Sequence, residues 1–103
     1  MSQRSVALER MLERNPDDPR LRFGLAVEYL NAGELEKGAA ALRAYLAVSE
    51  DEGNGWGRLG GVLAELGRAD EAREAYRAGI RAAEKYGHPS LADELRAVLQ
   101  GLG

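Results

Sequence analysis

One short stretch of this 103-residue chain, GNGWGRLGG at 53–61, has a spacing that could bind a cofactor. Gly55, Gly57 and Gly60 follow the G-x-G-x-x-G pattern with which dinucleotide-binding enzymes approach a pyrophosphate. Such a site requires a β-strand before the glycines and a helix after them. The preceding stretch, KGAAALRAYLAV, has the composition of a helix, and Trp56 occupies the turn that a phosphate would approach. We interpret the match as a coincidence of composition and predict no cofactor.

Other residue types that support catalysis are scarce. The sole histidine, His88, follows a glycine and precedes a proline, and the chain has no cysteine. A histidine-based triad needs further partners, and zinc sites take several histidine or cysteine ligands. The carboxylates are spread along polar helix faces. We therefore predict no metal site and no enzyme.

Composition and charge narrow the class of protein further. Hydrophobic residues make up 45% and charged residues 30% of the chain, which is typical of a folded soluble domain. The formal net charge of −3, with both signs interspersed, argues against nucleic-acid binding. No apolar run is long enough to span a membrane, and the first 14 residues lack the apolar core of a signal peptide. These features predict a cytoplasmic protein without a membrane partner.

An internal period of 34 residues organises the chain. Gly33 and Gly67 are separated by this interval, and residues of similar size pair at the same offset: Leu25 with Leu59, Ala41 with Ala75, Leu42 with Tyr76, and Leu46 with Ile80. Such a period is the mark of a repeat architecture.

Within each period the apolar residues follow helical spacing. Ala72, Ala75, Tyr76 and Gly79 form one such stripe. The pattern predicts six helices, at about 3–14, 19–32, 35–49, 54–66, 69–86 and 90–100. Asp18-Pro19 has the composition of a helix start, and Ser90 with Asp93 that of a capping box.

The second period resembles a tetratricopeptide repeat. The residues that carry the resemblance share one phase: Trp56, Leu59, Gly60, Leu63, Gly67, Ala72 and Tyr76. The first period is a degenerate version, with Leu25, Ala26, Tyr29, Gly33, Gly38 and Leu42 at the matching places. The resemblance implies an all-α, right-handed superhelix of antiparallel helix pairs. It divides a single domain, residues 1–103, into a partial repeat (3–16), two repeats (19–52 and 53–86) and a capping helix (87–103).

In this family the first helix of each repeat lines a concave face. That correspondence implies the following partner-binding residues: Arg20, Phe23, Val27, Leu30, Asn31, Gly57, Arg58, Gly61, Ala64 and Glu65. Gly57 and Gly61 would offer bare backbone to a partner, and alanine at both positions should make the protein more stable. Alternatively, Phe23 lies across these glycines and fills the groove itself.

The resemblance implies a non-catalytic scaffold that docks another protein, a peptide or a helix. The alternative is self-association, as a homodimer formed through the groove or an exposed end. Arg73, Arg77, Arg81 and Lys85 form a basic stripe, which Asp70, Glu74 and Glu84 should partly neutralise from three residues away.

Overall fold

Within residues 3–102, which the computed structural model describes, the chain forms six α-helices and no β-strand. In chain order they are α1 (Gln3–Arg14), α2 (Pro19–Asn31), α3 (Leu35–Val48), α4 (Asn54–Glu65), α5 (Ala69–Lys85) and α6 (Pro89–Gly101). The all-α prediction is confirmed, and each predicted helix end lies within one residue of the observed end. Residues 1, 2 and 103, at the two ends of the predicted domain, lie outside the described residues.

The bends within the two repeats fall at the predicted glycines. Gly33 and Gly67 both have a φ of 77°, a conformation that glycine adopts without strain. Both bends have an equivalent backbone hydrogen bond. The residue after the glycine donates to the carbonyl five residues back, from Glu34 N to Tyr29 O and from Arg68 N to Leu63 O, at 2.9 Å in both cases. The 34-residue period is therefore a structural period.

Helix starts are capped in different ways along the chain. Asp18 is the N-cap of α2, as predicted, and accepts a hydrogen bond from Arg20 N at 2.9 Å. The capping box predicted at Ser90 and Asp93 is wrong. Helix α6 begins one residue earlier, at Pro89, with His88 as the N-cap and no side-chain cap bond. Ser90 therefore lies inside the first turn, where it cannot act as the N-cap.

The start of α4 depends on a residue that the sequence analysis did not single out. One carboxylate oxygen of Asp51 accepts hydrogen bonds from the backbone N–H groups of Gly53, Gly55 and Trp56, at 3.0, 2.8 and 3.3 Å. A carboxylate at this end also complements the positive end of the helix dipole.

The chain divides into two compact units, Met1–Ser49 and Glu50–Gly103. In the first unit α2 packs against both α1 and α3, and in the second α5 packs against both α4 and α6. The division lies three residues before the predicted boundary between the repeats at 52 and 53. The assignment of one domain with these repeat limits stays a prediction.

The first unit has a small core. Its buried apolar residues are Ala26, Ala39 and Leu42. Polar contacts add to the packing of α1 on α2: the Tyr29 hydroxyl donates to Glu9 at 2.7 Å, and Arg4 pairs with Glu28 at 3.3 Å.

The second unit has a larger core, built mainly between α4 and α5 and extended by α6. Its buried apolar residues are Leu59, Val62, Leu63, Ala72, Ala75, Tyr76, Ala83, Ala92 and Leu95. A Cβ atom at Gly60 would lie only 2.8 Å from the Tyr76 ring. The absence of a side chain at Gly60 thus lets the two helices of this repeat approach closely.

Candidate docking surface of the first unit

An open cleft of about 390 Å³ lies between the start of α2 and the end of α3. We call it the aromatic cleft; its lining residues are Pro19, Arg20, Phe23, Gly24, Tyr45 and Ser49. All six belong to the first unit. Helix α2 begins where α3 ends because the tight Gly33 bend makes these helices antiparallel.

Two aromatic rings dominate this cleft. Phe23 and Tyr45 meet edge to face, with ring centroids 5.0 Å apart and planes at 64°. Both rings are half-buried. Arg20 stands beside them with its side chain 92% exposed, and its Nε lies 3.7 Å from Asp18. The cleft thus combines apolar aromatic surface with an exposed cation, a pairing common at protein interfaces.

The other predicted residues of α2 lie farther along the helix. Val27 is half-buried and Asn31 is exposed. Leu30 packs onto α3, because a side chain at Gly38 would collide with it. Leu30 therefore contributes to the contact between the two helices rather than standing clear of α3.

On α4, the expectation of bare backbone at Gly57 is wrong. A Cβ atom there would lie 2.8 Å from Leu95 Cδ2, so this leucine of α6 already covers the glycine. Gly61 is less crowded, since a Cβ atom would meet only the Tyr76 hydroxyl, at 3.6 Å. The segment before them is helix α3, and not the β-strand that a dinucleotide-binding glycine motif requires.

The remaining predicted residues of α4 are Arg58 and Glu65, which are exposed, and Ala64, which is half-buried. The predicted set thus divides equally between α2 in the first unit and α4 in the second. Within the first unit, the structure brings Arg20 and Phe23 together in the aromatic cleft. That all ten residues bind a partner on one concave face stays a prediction.

A second cleft, of about 620 Å³, lies at the start of α6. Its residues include His88 and Glu52, whose Nε2 and Oε1 atoms are 2.5 Å apart. Nearby, Tyr86 donates to Glu50 at 2.9 Å, which raises the pKa of Tyr86 above its usual value. In the part of the chain that the structure describes, no three histidine, cysteine or acidic residues form a group that could hold a metal ion.

Two of the four cations in the basic stripe on α5 form ion pairs with acidic residues of the same helix. Arg73 pairs with Asp70 at 2.7 Å and Arg77 with Glu74 at 2.9 Å, as predicted. The expectation that Glu84 pairs with Arg81 is wrong, because Glu84 contacts Arg96 of α6. This acidic residue helps to hold α6 instead of screening the stripe.

The sequence analysis missed Tyr45 and Ser49 as cleft residues. A signal was present at the 34-residue offset, where Phe23 pairs with Gly57 and Tyr45 with Gly79. At both positions the first repeat has a large aromatic residue where the second has glycine. This difference indicates that the two repeats fill the equivalent space with different side chains.

No helix among the described residues has both the length and the apolar composition needed to cross a bilayer. The helix pairs, the equivalent bends and the shared period define an α-helical repeat protein. The sequence profile of the tetratricopeptide repeat matches residues 1–83. The chain therefore belongs to the tetratricopeptide repeat family, and it is a protein-interaction module, as other members are.

Individual relatives agree with this assignment. A TPR repeat-containing protein of Pseudomonas aeruginosa is 33% identical over 95 residues, covering 92% of this chain and 90% of the relative. The peroxisomal targeting signal receptor of Eremothecium gossypii is 36% identical over 64 residues, covering 62% of this chain but only 11% of the receptor.

Solved structures share the fold. The solution structure of a Bordetella parapertussis protein superposes with a TM-score of 0.80 and 30% identity, covering 99% of this chain and 89% of that one. A MamA variant gives a TM-score of 0.62 at 23% identity, covering 96% of this chain and 66% of that one. Because its sequence identity is low, the MamA variant supports the fold alone.

Proposed function

We propose that this chain is a non-catalytic scaffold that docks a peptide or helix of another protein on α2, around Phe23. The observation that carries the proposal is the aromatic cleft. Half-buried aromatic rings beside an exposed arginine have the composition of interface hot spots.

The relatives support the same class of function. The Eremothecium gossypii relative is, by its name, a receptor for a targeting signal. Docking a segment of another protein is consistent with that role. The groove in such scaffolds varies independently of the fold, so the partner itself has to be found by experiment.

Partner isolation followed by a binding measurement tests the proposal. The tagged chain is crosslinked in its native cells, and the captured protein is purified. Its affinity is then measured for the unmodified chain, for Phe23→Ala and for Val98→Ala. Val98 is 46% exposed on the second unit and serves as the control. We expect Phe23→Ala to weaken binding at least about tenfold, as truncation of an aromatic hot spot does. Equal affinities for all three proteins would contradict docking at Phe23.

Self-association is the alternative function, and one observation favours it. Each unit exposes a large apolar residue on an outer helix: Met11 is 49% exposed on α1, and Val98 is 46% exposed on α6. Pairing such surfaces in a symmetric dimer would bury them. Light scattering after size exclusion separates the hypotheses. A dimer that persists on dilution supports self-association, and a monomer supports docking of a foreign partner.

A further inference from the structure

Residues 34 positions apart have equivalent places in the repeats. Helices α3 and α5, which follow equivalent bends, begin at Leu35 and Ala69. At the same offset α1 is equivalent to α3 and α5, the second helices of their pairs, and α6 is equivalent to α2 and α4, the first helices. Among the described residues, α1 is thus a second helix without a first, and α6 is a first helix without a second.

The surfaces that join a complete pair are buried in the second repeat. Gly60 of α4 lies against the Tyr76 ring of α5, since a Cβ atom at Gly60 would be 2.8 Å from it. The buried residues around this contact are Leu59, Gly60 and Leu63 on α4 and Ala72, Ala75 and Tyr76 on α5. We call these two sets, and their equivalents on other helices, the pairing faces.

The pairing face of α6 is uncovered. One period after the residues of α4 come Asp93, Glu94 and Ala97, which are all exposed. Leu95 lies on the opposite side of the helix and is only 7% exposed. Asp93 pairs with Arg96 at 3.0 Å. Two carboxylates therefore stand where α4 has an apolar residue and a glycine.

The pairing face of α1 is uncovered as well. Two periods before the residues of α5 come Arg4, Ala7 and Leu8, of which the first two are exposed and Leu8 is half-buried. Met11 continues this face by one turn and is 49% exposed. Arg4 pairs with Glu28 at 3.3 Å, but its side chain is 81% exposed, so exchanging this partner costs little.

The two uncovered faces have opposite charges at places that would meet. Because Gly60 lies against Tyr76, their equivalents Glu94 and Leu8 would oppose one another if α6 of one copy packed on α1 of another. Arg4 lies one turn from Leu8 on the same face, which brings its guanidinium within reach of Glu94. Such a contact would compensate a carboxylate that loses its water.

The ends of these helices also match. In an antiparallel pair the end of α1 lies beside the start of α6. A cleft of about 400 Å³ at the end of α1 is lined by Arg10, Met11, Glu13 and Arg14. The cleft at the start of α6 includes Glu52 and Glu94. Met11 and Val98 are the most exposed large apolar residues in the described part of the chain, and they lie on these two helices.

We infer that α6 of one copy packs on α1 of a second copy, as the first and second helices of a repeat do, with Glu94 on Arg4. This inference rests on the second function proposed above, self-association, but replaces the symmetric dimer by a contact between two different surfaces. Such a head-to-tail contact either closes into a ring or continues as a chain of copies. It does not involve Phe23.

Charge reversal with the intact chain tests the contact. Sedimentation velocity from micromolar to about millimolar protein measures the association. Arg4→Glu and Glu94→Arg should each weaken it at least about tenfold, because like charges then face one another. An equimolar mixture of the two variants should recover the association, since the introduced glutamate and arginine meet across the interface. Arg81→Glu and Glu65→Arg make the same changes at exposed positions of other helices and should have no effect.

A spin label tests the direction of the contact without changing α1. The chain has no cysteine, so Gln100→Cys, at an exposed position of α6, provides one attachment point for a nitroxide. The labelled copy is mixed with an unmodified, isotope-labelled copy, whose amide signals are recorded. We expect broadening in α1 of the unmodified copy. A folding defect of Arg4→Glu cannot produce this result, and circular dichroism checks the helicity of each variant.

Several outcomes would overturn the inference. They are a chain that stays monomeric at about millimolar concentration, no recovery in the mixture, and broadening confined to α6. Association that survives one of the two reversals would overturn it too, but would keep self-association through a symmetric contact as the function. Docking at Phe23 fails separately, if the natural partner binds Phe23→Ala as well as the unmodified chain.

Discussion

The two units of this protein have the same helix-pair design but bury very different amounts of apolar side chain. Among the described residues, three apolar side chains are buried in the first unit and nine in the second. Part of the difference lies in the helix that packs against the helix pair of each unit, which is α1 in the first unit and α6 in the second. Helix α6 places Leu95 over Gly57 and Gly79, whereas α1 contacts α2 partly through polar pairs such as Tyr29 with Glu9.

Equivalent positions in the two units also exchange large and small residues. Where the second unit packs Gly60 against the large ring of Tyr76, the first has Ala26 and Leu42, both without exposed surface. Close packing explains the exchange, because a residue that grows on one helix must be offset by one that shrinks on the other. The changes at Leu95, Gly57 and Gly60 test whether such pairs act together.

The largest effect is expected at Leu95. Leu95→Ala should lower the free energy of unfolding by about 2–4 kcal/mol, because the small residues beneath it cannot fill the cavity. Urea unfolding followed by circular dichroism measures the change. Val98→Ala on the same helix is the control and should cost less than about 0.5 kcal/mol, since Val98 is 46% exposed. If both variants lose the same stability, α6 does not pack through Leu95.

The contact with Leu95 predicts that Gly57→Ala destabilises the unmodified chain but stabilises the Leu95→Ala variant. In the unmodified chain, Gly57→Ala adds a methyl group 2.8 Å from Leu95 Cδ2, so the crowding should outweigh the helix propensity gained. In the Leu95→Ala background the same change should stabilise by about 0.5–1 kcal/mol. This corrects the expectation that alanine at Gly57 stabilises the intact protein. Additive effects in the four-protein cycle would show that the two residues are independent.

A smaller effect is expected at Gly60. Gly60→Ala should destabilise by about 1–2 kcal/mol, because the rigid Tyr76 ring lies 2.8 Å from the added atom. Gly61→Ala is the matched control in the next position and should stabilise by about 0.5–1 kcal/mol, since its nearest neighbour is 3.6 Å away. Combining Gly60→Ala with Tyr76→Leu reproduces the first unit's pair. The two changes together should cost less than the sum of their separate effects.

Helix starts provide a further comparison. Asp51→Ala removes three hydrogen bonds from the start of α4, whereas Asp18→Ala removes one from the start of α2. We expect losses of about 1–2 and about 0.5–1 kcal/mol respectively, by chemical unfolding. Asp17→Ala, at an exposed neighbouring carboxylate, is the control and should change little. An equal loss at Asp18 and Asp51 would show that the number of accepted bonds does not decide the cost.

The sequence predicted the helices and the bends well because both depend on local features. Apolar spacing sets the helices, and Gly33 and Gly67 set the bends. It predicted helix α6 but not its packing, since the contact of Leu95 with Gly57 corresponds to no motif of the family. The aromatic cleft was found only in part, since Phe23 was singled out but Tyr45 was not. Which residue of a neighbouring helix fills the space above a glycine is decided by tertiary packing, which periodicity does not encode.

The smallest predicted effect concerns the contact between α1 and α2 in the first unit. The Tyr29 hydroxyl donates to Glu9 at 2.7 Å, and this bond, with burial and the nearby charge of Glu9, raises the pKa of Tyr29 from 10.0 to about 12. Tyr29→Phe should therefore lower the free energy of unfolding by about 0.5–1 kcal/mol at neutral pH.

The pH dependence of that loss identifies its cause. A raised folded-state pKa means that the neutral hydroxyl is favoured in the native protein, so its contribution is complete below pH 10 and disappears as pH rises towards 12. The difference between the unmodified chain and Tyr29→Phe should thus shrink across this window. Tyr76 and Tyr86, whose pKa values are also raised, are present in both proteins, so their titration largely cancels. A difference that stays constant from pH 7 to 11.5 would show that Tyr29 contributes through packing alone, and that α1 is not held by this hydrogen bond.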